Sequence, residues 1–145
     1  MMALSSKLKQ IVESRLSVVA LEVGQSIGQA QIVNLRQRVA QGLGVYDQKM
    51  PPYSPGYRRK RAKTGRQVDN RDLTYSGRML GSLTATLNAG ETGVTVVIRF
   101  ADVPSQQKAR WNQAIAPWFG VSPRDLRTLR AVQADALTRA FKRRA

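Results

Sequence analysis

Apolar residues in the first thirty positions recur every three or four residues, and this spacing constrains the chain more than any other feature. Leu4, Leu8, Val12, Leu16, Val19, Val23, Ile27 and Ala30 follow it. An α-helix stacks such positions on one face, so residues 1–42 read as one long amphipathic helix. Ser5 or Ser6 is the candidate N-cap, and Gly42 with Gly44 ends the pattern. Beyond Ile32 the stripe blurs, and a bend or break is expected there. Gly24 and Gly28 lie one turn apart. Either they only weaken the helix, by about 1 kcal/mol each relative to alanine, or they admit another backbone, such as that of a neighbouring subunit.

The pattern stops abruptly in residues 43–72. Pro51, Pro52, Pro55, Gly56 and Gly65 argue against regular structure, which leaves a loop too long for an ordinary connection. Within it Arg58, Arg59, Lys60, Arg61, Lys63, Arg66 and Arg71 crowd together behind Tyr46, Tyr53 and Tyr57. Cations interleaved with aromatic rings suit phosphate backbones or a partner surface. The alternative is a solvated loop anchored by its tyrosines.

Residues 73–101 return to order. Ser76 is placed to cap a short helical turn carrying Met79 and Leu80 inward. A hairpin follows, in which Leu83, Ala85 and Leu87 alternate with threonines, residues 88–93 turn, and a return strand runs over 94–101. Val94, Val96, Ile98 and Phe100 share one face of that strand. Residues 102–145 are helical. Ser105 caps a helix over 106–115, with Ala109, Trp111 or Asn112, and Ile115 as inward candidates. Trp118 and Phe119, between Pro117 and Gly120, read as core or interface plugs rather than as a ligand cage. In the last helix Ser122 is the N-cap, Pro123 opens the first turn and Asp125 reaches back. Leu126, Leu129, Val132, Leu137, Ala140 and Phe141 are its apolar face, and Arg139, Lys142, Arg143 and Arg144 crowd its end. The fold class is α+β in one domain, with a sheet small enough to seek partners.

Chemistry is bounded by what is missing. The 145 residues contain neither histidine nor cysteine, which removes Ser–His and Cys–His catalysis and the commonest metal ligands. Nine carboxylates remain; Asp69 and Asp72 are the closest pair, better suited to turns and caps than to Mg²⁺. No Gly-rich phosphate-cradling motif occurs. The expectation is a non-enzyme without cofactor or metal. With 24 Lys plus Arg the net charge is +15, so the natural partners are acidic proteins or nucleic acid. No signal peptide or spanning segment is read, so no membrane is involved and the protein is expected to be soluble and made in the cytoplasm.

Three ordered motifs add a resemblance. They are Pro51-Pro52-Tyr53-Ser54 running through Tyr57 to Lys60, then Leu73-Thr74-Tyr75-Ser76-Gly77-Arg78-Met79-Leu80-Gly81-Ser82-Leu83, and lastly Pro117-Trp118-Phe119-Gly120-Val121-Ser122-Pro123-Arg124-Asp125-Leu126. Over residues 44–129 the chain resembles the tail-component and virion-morphogenesis proteins of tailed phages, the minor tail, tail-completion, neck or head–tail joining proteins. It departs after the second strand, where many members carry Tyr-Ala, then His or Asn, and Gly. Here Phe100-Ala101 leads into a helix around residues 108–113, so the sheet edge and its neighbours are expected to differ.

The resemblance implies an α+β subunit closing into a homo-oligomeric ring, hexameric or a multiple of it. Such a ring joins portal-side connector and tail-tube proteins in the virion and surrounds genomic DNA without reading its sequence. On this reading Arg58, Arg59, Lys60, Arg61, Lys63 and Arg66 dock partners or DNA. Gly24, Gly28, Met79, Leu80, Trp118 and Phe119 pack subunits together. The competing reading is a small free nucleic-acid-binding protein without sequence specificity.

Overall fold

A computed structural model describes residues 6–145. The expected caps and stripe members at positions 4 and 5, and the side chains of Leu8 and Val12, lie outside what is described. The elements are α1 (Ser6–Ala40), α2 (Pro55–Lys63), α3 (Arg78–Gly81), β1 (Leu83–Gly90), β2 (Gly93–Phe100), α4 (Val103–Ile115) and α5 (Pro123–Arg144). The α+β class holds.

Helix α1 is the spine, 35 residues and about 52 Å long. No break occurs after Ile32. The buried stripe continues through Gln31, Leu35, Arg38 and Val39, and it blurs in the sequence only because two of these are polar. Gly42, at φ 73°, ends the helix, with the Leu43 N–H donating back to Arg38 O at 3.0 Å. Asn70 Nδ2 caps the Ala40 carbonyl. On the N-terminal side Val19 and Val23 pack against Ala136 and Ala140 of α5, with Ile27 and Leu137 alongside. The two alanines, one turn apart, let the helices approach closely. Leu126 and Phe141, expected inward, are exposed. The C-terminal end of α5 is further joined to the middle of α1 by Arg143 and Arg144 on Glu22. The hydrogen bond from Arg144 holds the Glu22 carboxyl below the usual carboxylate range.

The antiparallel hairpin pairs Leu83 with Phe100 through to Gly90 with Gly93. The turn is therefore only residues 91–92, tighter than the six expected, because Asn88 and Ala89 stay paired in β1. Its inner face lies on α1, which corrects the role of the glycines. A Cβ on Gly28 would sit 2.7 Å from Ala85 Cβ, and one on Gly24 would sit 3.1 Å from Val94 Cγ1. The close approach they permit is made by the chain's own sheet, not by a neighbouring subunit. The two positions should respond differently to substitution. The Gly28→Ala variant is expected to lose about 1–3 kcal/mol, since Ala85 Cβ is fixed to backbone. Gly24→Ala should be within about 1 kcal/mol of wild type, its clash being with rotatable side-chain ends and its helix propensity improved. Guanidinium denaturation midpoints for the pair check this.

The main core gathers Ile32, Leu35, Val39, Met50, Met79, Leu80, Leu83, Ala109, Ala116 and Trp118, with Phe100 and Phe119 packed against it. Trp118 is fully buried and meets both phenylalanines at ring-centroid distances of 6.2 and 5.5 Å. Gln113 Oε1 accepts from the backbone N–H groups of Trp118 and Phe119, both at 3.0 Å. Met79, Leu80, Trp118 and Phe119 thus fill this chain's own core, and the subunit-packing role expected for them is corrected. In α4 only Ala109 among the expected inward residues is buried; Trp111 and Ile115 are exposed. The cap is Asp102 rather than Ser105, because Asp102 accepts from both the backbone N–H and the hydroxyl of Ser105. That bonding holds the Asp102 carboxyl below its usual range. Likewise α3 opens at Gly77, φ 76°, rather than at Ser76, whose hydroxyl one residue earlier accepts from the Arg78 N–H at 3.5 Å.

Candidate functional site

The basic segment is not the unstructured loop its prolines suggest. Ser54 Oγ accepts from the Tyr57 N–H, and Pro55 occupies the first turn, where its missing donor is not needed. Gly65, at φ 68°, terminates the helix, with Arg66 N–H donating to Arg61 O. The same residues that forbid a helix interior are correct at its two ends. What lies between them is α2.

Within α2, Tyr57 and Arg61 are one turn apart and face inward, which corrects the docking role expected of Arg61. The residue is 1% exposed. Its guanidinium donates to Asp72 at 3.1 Å, to Thr74 O at 2.6 Å and to Gln67 O at 2.9 Å, and lies 4.7 Å from the Tyr53 ring centroid. Tyr53 Oη donates to the same Asp72 and accepts from the Leu73 N–H. This network holds Leu73 at φ 51°, a left-handed conformation costly for a leucine.

Two further arginines act in the same way. Arg66 donates to Tyr75 O and stacks on its ring at 3.9 Å; Arg71 donates to the Pro51 and Pro52 carbonyls and lies 4.9 Å from Tyr53. Arg61 and Arg71 each join several oxygens at once, and Arg66 combines one carbonyl with a flat stack on a ring; the planar guanidinium does both and an ammonium does neither. Arg66 thus also serves a structural purpose beyond the docking role expected of it.

Burial and the neighbouring Asp72 push the Tyr53 phenol up to about 12. Folded Tyr53 therefore stays protonated where the unfolded chain, near 10, ionises. Stability is expected to be unaffected by this group below pH ~10 and to fall as pH rises from ~10 to ~12. Denaturation midpoints across that window should drop less steeply in the Tyr53→Phe variant.

The remaining four cations, Arg58, Arg59, Lys60 and Lys63, are exposed. None of their side chains makes a hydrogen bond or ion pair with another described residue. Arg61 thus fastens a rigid helix that presents four uncompensated charges to solvent.

A second polar node was not apparent from spacing alone. Arg38 Nη2 meets Asp125 at 3.2 Å and Gly120 O at 2.8 Å, and Gln31 Nε2 reaches the same two acceptors. Asp125 also accepts from the Ser122 N–H, while its own N–H donates to Ser122 Oγ. The capping box expected at Ser122 and Asp125 is therefore present, and it is buried against α1. Burial lowers the affinity of the Arg38 guanidinium for its proton, and the Asp125 charge works against that shift. The available signal was two polar residues, seven apart, continuing the apolar stripe of α1.

Among the described residues no three carboxylates converge as a metal cage, and no helix is long and apolar enough to cross a membrane. Asp72 is engaged by Arg61 and Tyr53, and Asp69 is exposed. Compared with known proteins, this chain matches no family model, no curated protein and no solved structure.

Proposed function

We propose that this protein is a structural subunit of the head–tail junction of a tailed phage, of neck, tail-completion or tail-terminator type. It assembles into a homo-oligomeric ring, hexameric or a multiple, that joins the capsid connector to the tail and accommodates DNA in the virion. The observation that carries this is the fixed basic helix. Four cations without internal counter-charges, on a helix fastened to the core, suit a surface that meets phosphate or acidic subunits. Assembly is further supported by a sheet of only two strands, whose outer edges have no described strand beside them. It is also supported by Ile11, Leu16, Val18 and Leu21, left exposed on the N-terminal half of α1.

Native mass spectrometry and negative-stain imaging, alone and with connector and tail-tube proteins, test the reading. Closed rings are expected. A protein that stays monomeric in every mixture overturns it.

The same open cations favour a second reading, a free basic protein that binds nucleic acid without sequence preference. Its test is duplex binding by the isolated protein across a salt series. The Arg58→Ala/Arg59→Ala/Lys60→Ala/Lys63→Ala variant should bind more weakly and with a shallower salt slope, by about one unit per phosphate contact removed. Loss of duplex binding in a variant that still forms rings would assign these charges to DNA rather than to assembly.

A further inference from the structure

We propose that the groove between α2, the 71–75 segment and α4 is a docking site for an acidic peptide segment carrying an apolar side chain. The groove has a volume of about 550 Å³. Its charged lining is Lys60, Arg71 and Lys108, and no carboxylate lines it. Asp72, bonded to Tyr53 at the same place, is already engaged by Arg61. Lys60 and Lys108 make no direct ion pair among the described residues, Lys108 feeling only the Asp102 charge outside the lining, so the groove is complementary to negative charge.

The apolar lining is Leu73, Met79 and Ile115. Ile115 is 56% exposed, and Trp111, one turn before it on α4, is 67% exposed. Two large apolar side chains in water beside a cationic groove are a place for an apolar anchor flanked by acids.

A peptide fits these observations better than a nucleic acid does. Base stacking needs free ring faces; guanidinium groups already lie against the tyrosines that line the groove, and the open ring of Trp111 is outside that lining. Arg61 and Arg71 lie against Tyr53, and Arg66 covers Tyr75 at 3.9 Å. Tyr57 meets Tyr53 edge-on at 5.0 Å. The assignment does not depend on ring formation, and Lys60 is the only one of the four outward cations of α2 that it uses.

The test is fluorescence anisotropy with the full chain and a fluorescein-labelled peptide in which a leucine is flanked on each side by glutamates. Binding should weaken about tenfold in Lys60→Glu/Lys108→Glu. It should weaken less than about threefold in Arg58→Glu/Lys63→Glu, which changes the net charge equally but lies outside the groove lining. Replacing the peptide's leucine with serine should also weaken binding. All four substitutions are at exposed positions, and circular dichroism confirms folding of both variants. Equal weakening by the two charge pairs would overturn the proposal, leaving only general attraction to a basic protein. So would equal binding of the serine peptide. Oligothymidylate that competes with the peptide, and loses its own binding in Lys60→Glu/Lys108→Glu, would overturn it in favour of a nucleic-acid groove.

Discussion

Replacing Arg61 with alanine is expected to destabilise the protein by about 3–5 kcal/mol, the usual cost of stranding one partner of a buried ion pair. The substitution removes the counter-charge of Asp72 and leaves the Thr74 and Gln67 carbonyls without their donor. It also takes the cation from the Tyr53 ring. Arg61→Lys keeps the charge but not the fork, and an ammonium cannot reach three differently placed acceptors in one geometry. That variant should recover only a minority of the loss. Arg59→Ala, two residues away and exposed, should stay within about 0.5 kcal/mol of wild type. Guanidinium denaturation followed by far-ultraviolet circular dichroism measures all three. A loss below about 1 kcal/mol in Arg61→Ala would mean that α2 is not held by this network. The same experiment separates fold from function among the cations, since neighbours in sequence should differ severalfold in their effect on stability.

The Asp125→Ala variant is expected to lose a similar amount, about 3–5 kcal/mol, for a composite reason. Removal of a cap acceptor costs about 1 kcal/mol. The larger share comes from Arg38, left buried without its ion-pair partner and with only the Gly120 carbonyl to bond, the Asp47 charge remaining as partial compensation. Asp125→Asn retains an acceptor for the Ser122 N–H but no charge, and should fall between wild type and alanine. Combining Asp125→Ala with Arg38→Met removes both charges and should recover part of the stability, giving a coupling of about 1–3 kcal/mol in the double-mutant cycle. Additive single effects would show that the two residues act independently.

Both expectations rest on long-range contacts that the chain's local patterns did not disclose: those of Arg61, and the pairing of Arg38 with an Asp125 that was legible only as a cap. Arg61 belongs to a run of cations that looks uniform in sequence, Arg58 to Lys63. Nothing in a run of like charges says which member turns inward; that depends on where Asp72, Thr74 and Tyr53 arrive from elsewhere. The prolines misled for a related reason. Proline excludes helix interiors but favours first turns, and which applies at Pro55 depends on Ser54 acting as its cap. Met79, Leu80 and Trp118 were legible as apolar anchors, but whether they anchor one chain or two depends on the volume that α1, β2 and α4 enclose.

Whatever rests on short-range periodicity and composition is legible without the fold. The long first helix, the alternating hairpin, the Ser122–Asp125 cap and the net charge were all readable, because each depends on residues within a few positions of one another. The absence of histidine and cysteine was equally plain. Which arginines are structural and which are free depends on long-range packing. The same packing decides that Gly24 and Gly28 receive the chain's own sheet, and that Trp111 and Ile115 remain in water beside a cationic groove. Those outcomes are set by long-range contacts, in which burial, desolvation and the number of acceptors within reach of one guanidinium determine a side chain's role.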